Sequence, residues 1–121
     1  MKEKKYVVGI DLGTTSARTV VFDFDGNEIG SGQIMNPLTY PAPGRQECDG
    51  DELIKHLYRT TRLAIDNSGV DPEEIAAIST DVFRCTVALR DENGGFTMPI
   101  IIWQDMRSAE MIPEVERKLV A

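Results

Sequence analysis

Asp11-Leu12-Gly13-Thr14-Thr15-Ser16 places a carboxylate at the end of a β-branched run and follows it at once with small and hydroxylated residues. That combination suits a phosphate. Gly13 allows the backbone a close approach, while the loop N–H groups and the Thr14 and Thr15 hydroxyls can donate to phosphate oxygens. Asp11 can hold Mg²⁺ directly or through water. Arg18, a little further on, can add positive charge. The same stretch also reads as a hairpin turn in which Asp11 and the hydroxyls satisfy their own backbone. It has neither the lysine of a P-loop nor the glycine spacing of a dinucleotide-binding loop.

The elements around it follow from periodicity and turn chemistry. Tyr6 to Ile10 and Ala17 to Phe24 are strand-like, and Asp25-Gly26-Asn27 is a hairpin turn. A third run, Glu28 to Met35, alternates glycines with larger residues, so three consecutive antiparallel strands are expected. The proline-containing stretch from Asn36 to Asp49 reads as a loop leaving the sheet. A helix is expected next, with Leu53, Ile54, Leu57, Tyr58, Ala64 and Ile65 on one face. Asp49 with Glu52 resembles a capping box, and Asn67-Ser68-Gly69 a C-terminal stop. Asp71-Pro72-Glu73-Glu74 starts a single helical turn before Ile75 to Thr80, which reads as a buried strand. Thr86 to Arg90 and Met98 to Trp103 are further strand candidates. Met106 to Ala121 is helical in composition, with Pro113 expected to break or kink it. Strands, then a helix, then strands and a helix describe an α/β layer structure.

Composition narrows the function classes. The 121 residues are 41% hydrophobic and 27% charged, the size and balance of one soluble globular domain. A formal charge of −7 repels phosphate backbones and anionic lipid, which excludes nucleic acid and membrane surfaces as expected partners. There is no signal-peptide h-region and no apolar run of the ~20 residues a membrane-spanning helix needs, so a cytoplasmic protein is expected. Cys48 and Cys85 stand far apart and read as free thiols, and the lone His56 is assigned no chemistry.

Four segments together resemble the FGGY carbohydrate kinases, the family that contains glycerol kinase and xylulose kinase. Ile10 to Arg18 is similar to that family's first phosphate motif. Tyr40-Pro41-Ala42-Pro43-Gly44-Arg45-Gln46-Glu47-Cys48-Asp49 is similar to its "YPxPGxxExD" loop, and Ile75 to Ser79 to the strand after its first helix. Trp103-Gln104-Asp105-Met106-Arg107-Ser108-Ala109-Glu110 is similar to "WQxxRxAE" of glycerol kinases. The resemblance implies a ribonuclease H-like, actin-like ATPase domain whose mixed sheet begins with three antiparallel strands and carries helices packed on it. It implies ATP and Mg²⁺ as cofactors, with Asp11 on the metal and Gly13, Thr14, Thr15 and Arg18 on the phosphates. It assigns Arg84 and Trp103 to a sugar or polyol. An arginine offers fixed donors for hydroxyls and an indole offers an apolar face for C–H groups, although a Trp is also an ordinary core residue and an Arg an ordinary ion-paired one. Asp105 and Arg107 line a cleft, or serve as a helix cap and a solvated charge.

Departures from the family pattern fall in one place. Glycerol kinases follow the arginine with glutamate where this chain has Cys85, and xylulose kinases carry "QMHG" where it reads Asp81-Val82-Phe83-Arg84-Cys85. Asp81 is a candidate replacement acceptor and Phe83 a candidate pocket wall. Family members are also several times longer, and the resemblance puts their catalytic aspartate beyond residue 121, so residues 1–121 read as one domain, the opening portion of the first kinase domain, without a catalytic residue of its own. The expected function is transfer of the ATP γ-phosphoryl to a small carbohydrate, with little activity from this portion alone. The alternative is a non-catalytic phosphate- or nucleotide-binding module of the actin-like ATPase superfamily. Sheet edge left uncovered in such a portion predicts self-association.

Overall fold

The computed structural model describes residues 2–119. Its main sheet has four strands in the order β3-β2-β1-β6, where β1 is Tyr6–Leu12, β2 Ser16–Asp23, β3 Glu28–Met35 and β6 Ile75–Val82. The first three are antiparallel neighbours, and β6 adds parallel to β1. Turn chemistry closes the β2–β3 hairpin. Gly26 takes φ 86°, and the Asp23 carboxylate accepts from the backbone of Asp25 and Asn27 and from the Asn27 amide.

Helix α1 spans Gly50–Ser68. The Asp49 side chain accepts from Glu52 N at 2.9 Å, but the Glu52 carboxylate pairs with Lys55 Nζ at 2.6 Å, so only half of the expected capping box forms. Gly69, left-handed at φ 66°, ends the helix as expected. The buried face runs through Leu53, Thr60 and Ala64, whereas Ile54 and Tyr58 face outward, contrary to the expectation from spacing. The reason is the partner surface. A Cβ on Gly32 would lie 2.6 Å from Thr60 O, and one on Gly30 2.5 Å from Ser68 N, so β3 meets α1 almost backbone to backbone and favours small residues there. The Thr19 hydroxyl, buried on β2, donates to Thr60 Oγ1 at 3.2 Å, which satisfies the polar pair under the helix.

A second layer sits at the C-terminal ends of β1 and β6. The stretch after β3 is more than a loop: β4 (Leu38–Thr39) and β5 (Glu47–Cys48) pair with β7 (Ile100–Ile101) in a small antiparallel sheet. Cys48, Leu53, Ile100 and Ile102 form its core, with Leu12, Leu38, Phe83 and Phe96 packed against them. Such fully buried aliphatic side chains contribute about 1.5–3 kcal/mol each. Thr86 to Arg90 does not form a strand, because only the isolated bridges Val87–Ile101 and Arg90–Phe96 connect it and Cys85 turns the chain at φ 59° just before it. Met98 to Trp103 shrinks to β7. Pro113 does not break the last helix but lies in the first turn of α2 (Ile112–Leu119), where no backbone donor is needed. Val120 and Ala121 lie outside the described residues. Among those described, no helix is long and apolar enough to cross a membrane.

Strand β6 is longer than expected and largely exposed, with Ile78 at 61% and Val82 at 55%. An apolar β-branched run signals burial only if something covers it. Here α1 lies over β2 and β3, leaving β6 as an open edge.

Candidate functional site

The parallel register of β1 and β6 aligns Asp11 with Asp81, and Phe83 N donates to Leu12 O at 3.0 Å, so both chains leave the sheet at the same end. In open α/β sheets this end is where ligands bind. Asp11 and Asp81 border a shallow groove of ≈ 320 Å³ on the face away from α1, together with Gly9, Arg18, Val20 and Ser79.

The loop after β1 is tied from behind. Gly13 N donates to Ser16 O at 3.1 Å, closing the turn between β1 and β2. Asn36 then donates from its side-chain amide to Gly13 O at 2.6 Å and Thr14 O at 3.1 Å, and from its backbone to Thr15 O at 2.8 Å. Three carbonyls of the loop are thereby committed to Asn36. The pattern also fixes the orientation of the Asn36 amide, since carbonyls only accept. Its Oδ1 is buried and has no partner within the protein.

From the opposite side comes Trp103. Its Nε1 donates to Thr14 Oγ1 at 2.8 Å while the side chain stays 52% exposed. Its backbone N donates to Thr86 Oγ1 at 3.2 Å. Ile102 just before it is buried in the second core, and just after it Asp105 is anchored by the Asp105 N–Ile102 O bond of 2.9 Å.

Asp105 and Arg107 form neither an open cleft wall nor a solvated charge. The Asp105 side chain is only 2% exposed and accepts from Gln46 N at 2.7 Å and from Arg107 N, Nε and Nη2 at 2.9, 2.8 and 2.7 Å. Arg107 Nη2 also donates to Glu47 Oε1 at 2.6 Å. These bonds, Arg107 first, hold the Asp105 carboxyl well below the usual carboxylate range, and Asp105 with Glu47 raises Arg107 further. The network fastens the Trp103–Arg107 turn to Gln46 and to Glu47 of β5.

The sequence-derived residues separate into those that converge and those that do not. Asp11, Gly13, Thr14, Asp81 and Trp103 meet at one sheet end, and Thr15 lies in the same loop. Arg18 is the cross-strand neighbour of Asp11, yet its Nη2 donates to Glu28 Oε2 at 3.2 Å. Phe83 packs into the second core. Arg84 and Cys85 occupy the exposed turn beyond it, Cys85 in the left-handed region. His56 donates to or accepts from no ligand-type group, its Nδ1 lying 3.0 Å from Met35 O. Burial pushes the Cys48 thiol up to about 11, and both cysteines are free. Asn36 was not visible as a site residue. Its only signal is an Asx residue opening the proline-rich stretch, which marks a turn anywhere.

The residues fit a phosphate with its magnesium ion. A Cβ on Gly13 would come within 3.3 Å of Ser16 O and 3.7 Å of Asp11 Oδ1, so the absent side chain leaves open the space in front of the carboxylate. No cluster of three or more His, Cys, Asp or Glu that could cage an ion exists among the described residues. Mg²⁺ needs none, because it is held through one or two carboxylates plus substrate phosphates.

Comparison with known proteins gives consistent results. Residues 6–121 match the family model described as "FGGY family of carbohydrate kinases, N-terminal domain". A glycerol kinase of Thermococcus gammatolerans is 38% identical over 115 residues, covering 95% of this chain and 23% of the relative. One from Agrobacterium fabrum is 39% identical over 114 residues, covering 93% and 23%. The chain thus spans about a quarter of the length of the curated relatives it matches. Among solved structures, xylulose kinase from Rhodospirillum rubrum superposes with a TM-score of 0.84 at 20% identity, over 94% of this chain and 23% of that one. Plasmodium falciparum glycerol kinase with ADP gives 0.77 at 18% identity, over 98% and 24%. These likenesses establish the fold, a mixed-sheet α/β domain of the actin-like ATPase type that begins with antiparallel strands.

Proposed function

This chain belongs to the FGGY family of carbohydrate kinases, and on that premise we propose that it supplies the phosphate-side half of an ATP-dependent sugar or polyol kinase site. The observation that carries the reading is the convergence of an exposed carboxylate, a tied-back hydroxyl loop and a half-exposed indole at the carboxyl ends of β1 and β6. Asp11 would hold Mg²⁺, and Gly13, Thr14 and Thr15 would donate to phosphate oxygens. Bound Mg-ATP would supply the transferable γ-phosphoryl and neutralise the charge that develops on it. Arg18 already lines the same groove, and release of its exposed pair with Glu28, worth at most about 1 kcal/mol, would free its guanidinium for a phosphate.

Trp103 would offer its exposed face to the C–H surface of a sugar or polyol, with Arg84 and Asp81 donating to and accepting from hydroxyls. Phe83, packed against the second core, would back this pocket, and Cys85, with φ 59°, would orient Arg84. Catalysis here would be positioning, with the acceptor hydroxyl held beside the phosphate loop. The open β6 edge supports self-association of this chain.

The test is ADP release from Mg-ATP with glycerol, xylulose and gluconate as acceptors. This chain should bind nucleotide without acceptor-stimulated release. In a kinase that carries it, Asp11→Ala should abolish release. Acceptor-stimulated release by the chain alone would overturn the half-site reading, and full activity of the Asp11→Ala kinase would overturn the metal assignment.

A further inference from the structure

An indole N–H donates and never accepts, so in the 2.8 Å contact between Trp103 Nε1 and Thr14 Oγ1 the hydroxyl oxygen is the acceptor. That leaves the Thr14 proton free to donate elsewhere, and directed away from the indole. The Thr14 carbonyl is meanwhile held by Asn36 at 3.1 Å, so the residue is fixed at both ends. Trp103 is itself braced through the Thr86 hydroxyl, buried Ile102 and the Asp105–Arg107 turn. Two segments 89 residues apart in sequence therefore meet in one rigid contact.

We propose that Trp103 is a positioning residue for the phosphate loop, its indole N–H setting the Thr14 hydroxyl as a donor to an anionic phosphate oxygen and so coupling phosphate binding to the acceptor-side wall. The proposal rests on the phosphate-loop reading above. Its physical content is pre-organisation: a hydroxyl already committed as acceptor to one partner need not reorient when the phosphate arrives. Because the ring that makes this bond is also the wall for the acceptor, a phosphate that strengthens the bond holds that wall more firmly. Charge-assisted hydrogen bonds to an anionic oxygen polarise the donor hydroxyl, and a polarised hydroxyl oxygen binds the indole N–H more tightly.

The chain has a single tryptophan, so its indole ¹H–¹⁵N resonance is one assignable signal. In the ligand-free protein, Thr14→Val should move that signal toward the position of an unbonded indole and speed its exchange with water. Thr14→Ser, which keeps the oxygen, should restore both. Adding Mg-ATP to the unaltered protein should shift the signal with the same midpoint as calorimetric binding. Trp103→Phe should weaken Mg-ATP binding by roughly two- to tenfold, the worth of one neutral hydrogen bond. An indole signal indifferent to Thr14→Val overturns the proposal. So does Mg-ATP binding, seen by calorimetry, that leaves the indole of the unaltered protein unmoved, and in that case the phosphate-loop reading survives. Absence of calorimetric binding overturns both.

Discussion

Replacing Asn36 by aspartate changes one group, an amide NH₂ for an oxygen, at the point where the loop after β1 is held. The NH₂ donates to Gly13 O at 2.6 Å and Thr14 O at 3.1 Å. Each such bond contributes about 0.5–1.5 kcal/mol net, so Asn36→Asp should cost about 1–3 kcal/mol. For a chain of 121 residues that is about 4–12 °C in melting temperature. The cost should also depend on pH. An ionised carboxylate facing two carbonyl oxygens is repelled, whereas a protonated one donates, so the pKa of the introduced carboxyl is raised in the folded state. The sign follows: the stability it retains is present below the unfolded value of about 3.9 and is lost as pH rises through the folded pKa. The variant should therefore lie nearest the parent below about pH 4 and furthest from it at pH 7. Thermal melts of both proteins from pH 3 to pH 8 measure this. A variant that melts with the parent at pH 7 would refute the claim that Asn36 holds the loop.

Three further outcomes follow from the packing and the electrostatics. Gly32→Ala puts a methyl 2.6 Å from Thr60 O and 2.8 Å from Leu63 Cβ, and should lower stability by about 1–3 kcal/mol in urea unfolding. Asp105 has its carboxyl pKa depressed by Arg107, so it adds stability above the ordinary aspartate range that is lost as pH falls toward the folded pKa. The melting-temperature gap between the parent and Asp105→Asn should accordingly be widest near pH 7 and narrow below about pH 4. A disulfide thiol reagent should modify exposed Cys85 in the native protein, whereas buried Cys48, its thiol pushed up to about 11, should react only in denaturant.

The first half of the fold is legible because its determinants are local. Asp25-Gly26-Asn27 dictates a turn, and Asp49 and Gly69 bound α1. Sequence periodicity put Ile54 and Tyr58 on the packed face, whereas both face outward, because the glycines that narrow the helix contact lie on β3 and not on α1. The two-residue strands β4, β5 and β7 carry no period at all and arise only from pairing between distant segments. Exposure of β6 is likewise a property of what lies over it and not of Ile75 to Val82.

At the site, the phosphate loop is readable from its residue types, since a carboxylate followed by Gly13 and two threonines is chemically distinctive. The contacts that organise it are not readable. Asn36 reaches it from 22 and 23 positions away and Trp103 from 89, and the buried Asp105 looks in sequence like an ordinary charge near an ordinary arginine.

Equilibrium dialysis of ATP with and without Mg²⁺, on the parent chain and on Asp11→Asn, tests the central claim most directly. If Asp11 and the Gly13–Thr15 loop receive a magnesium-bound phosphate, Mg²⁺ should tighten ATP binding to the parent and fail to do so for the variant. Equal tightening in both proteins would place the metal elsewhere and contradict the account.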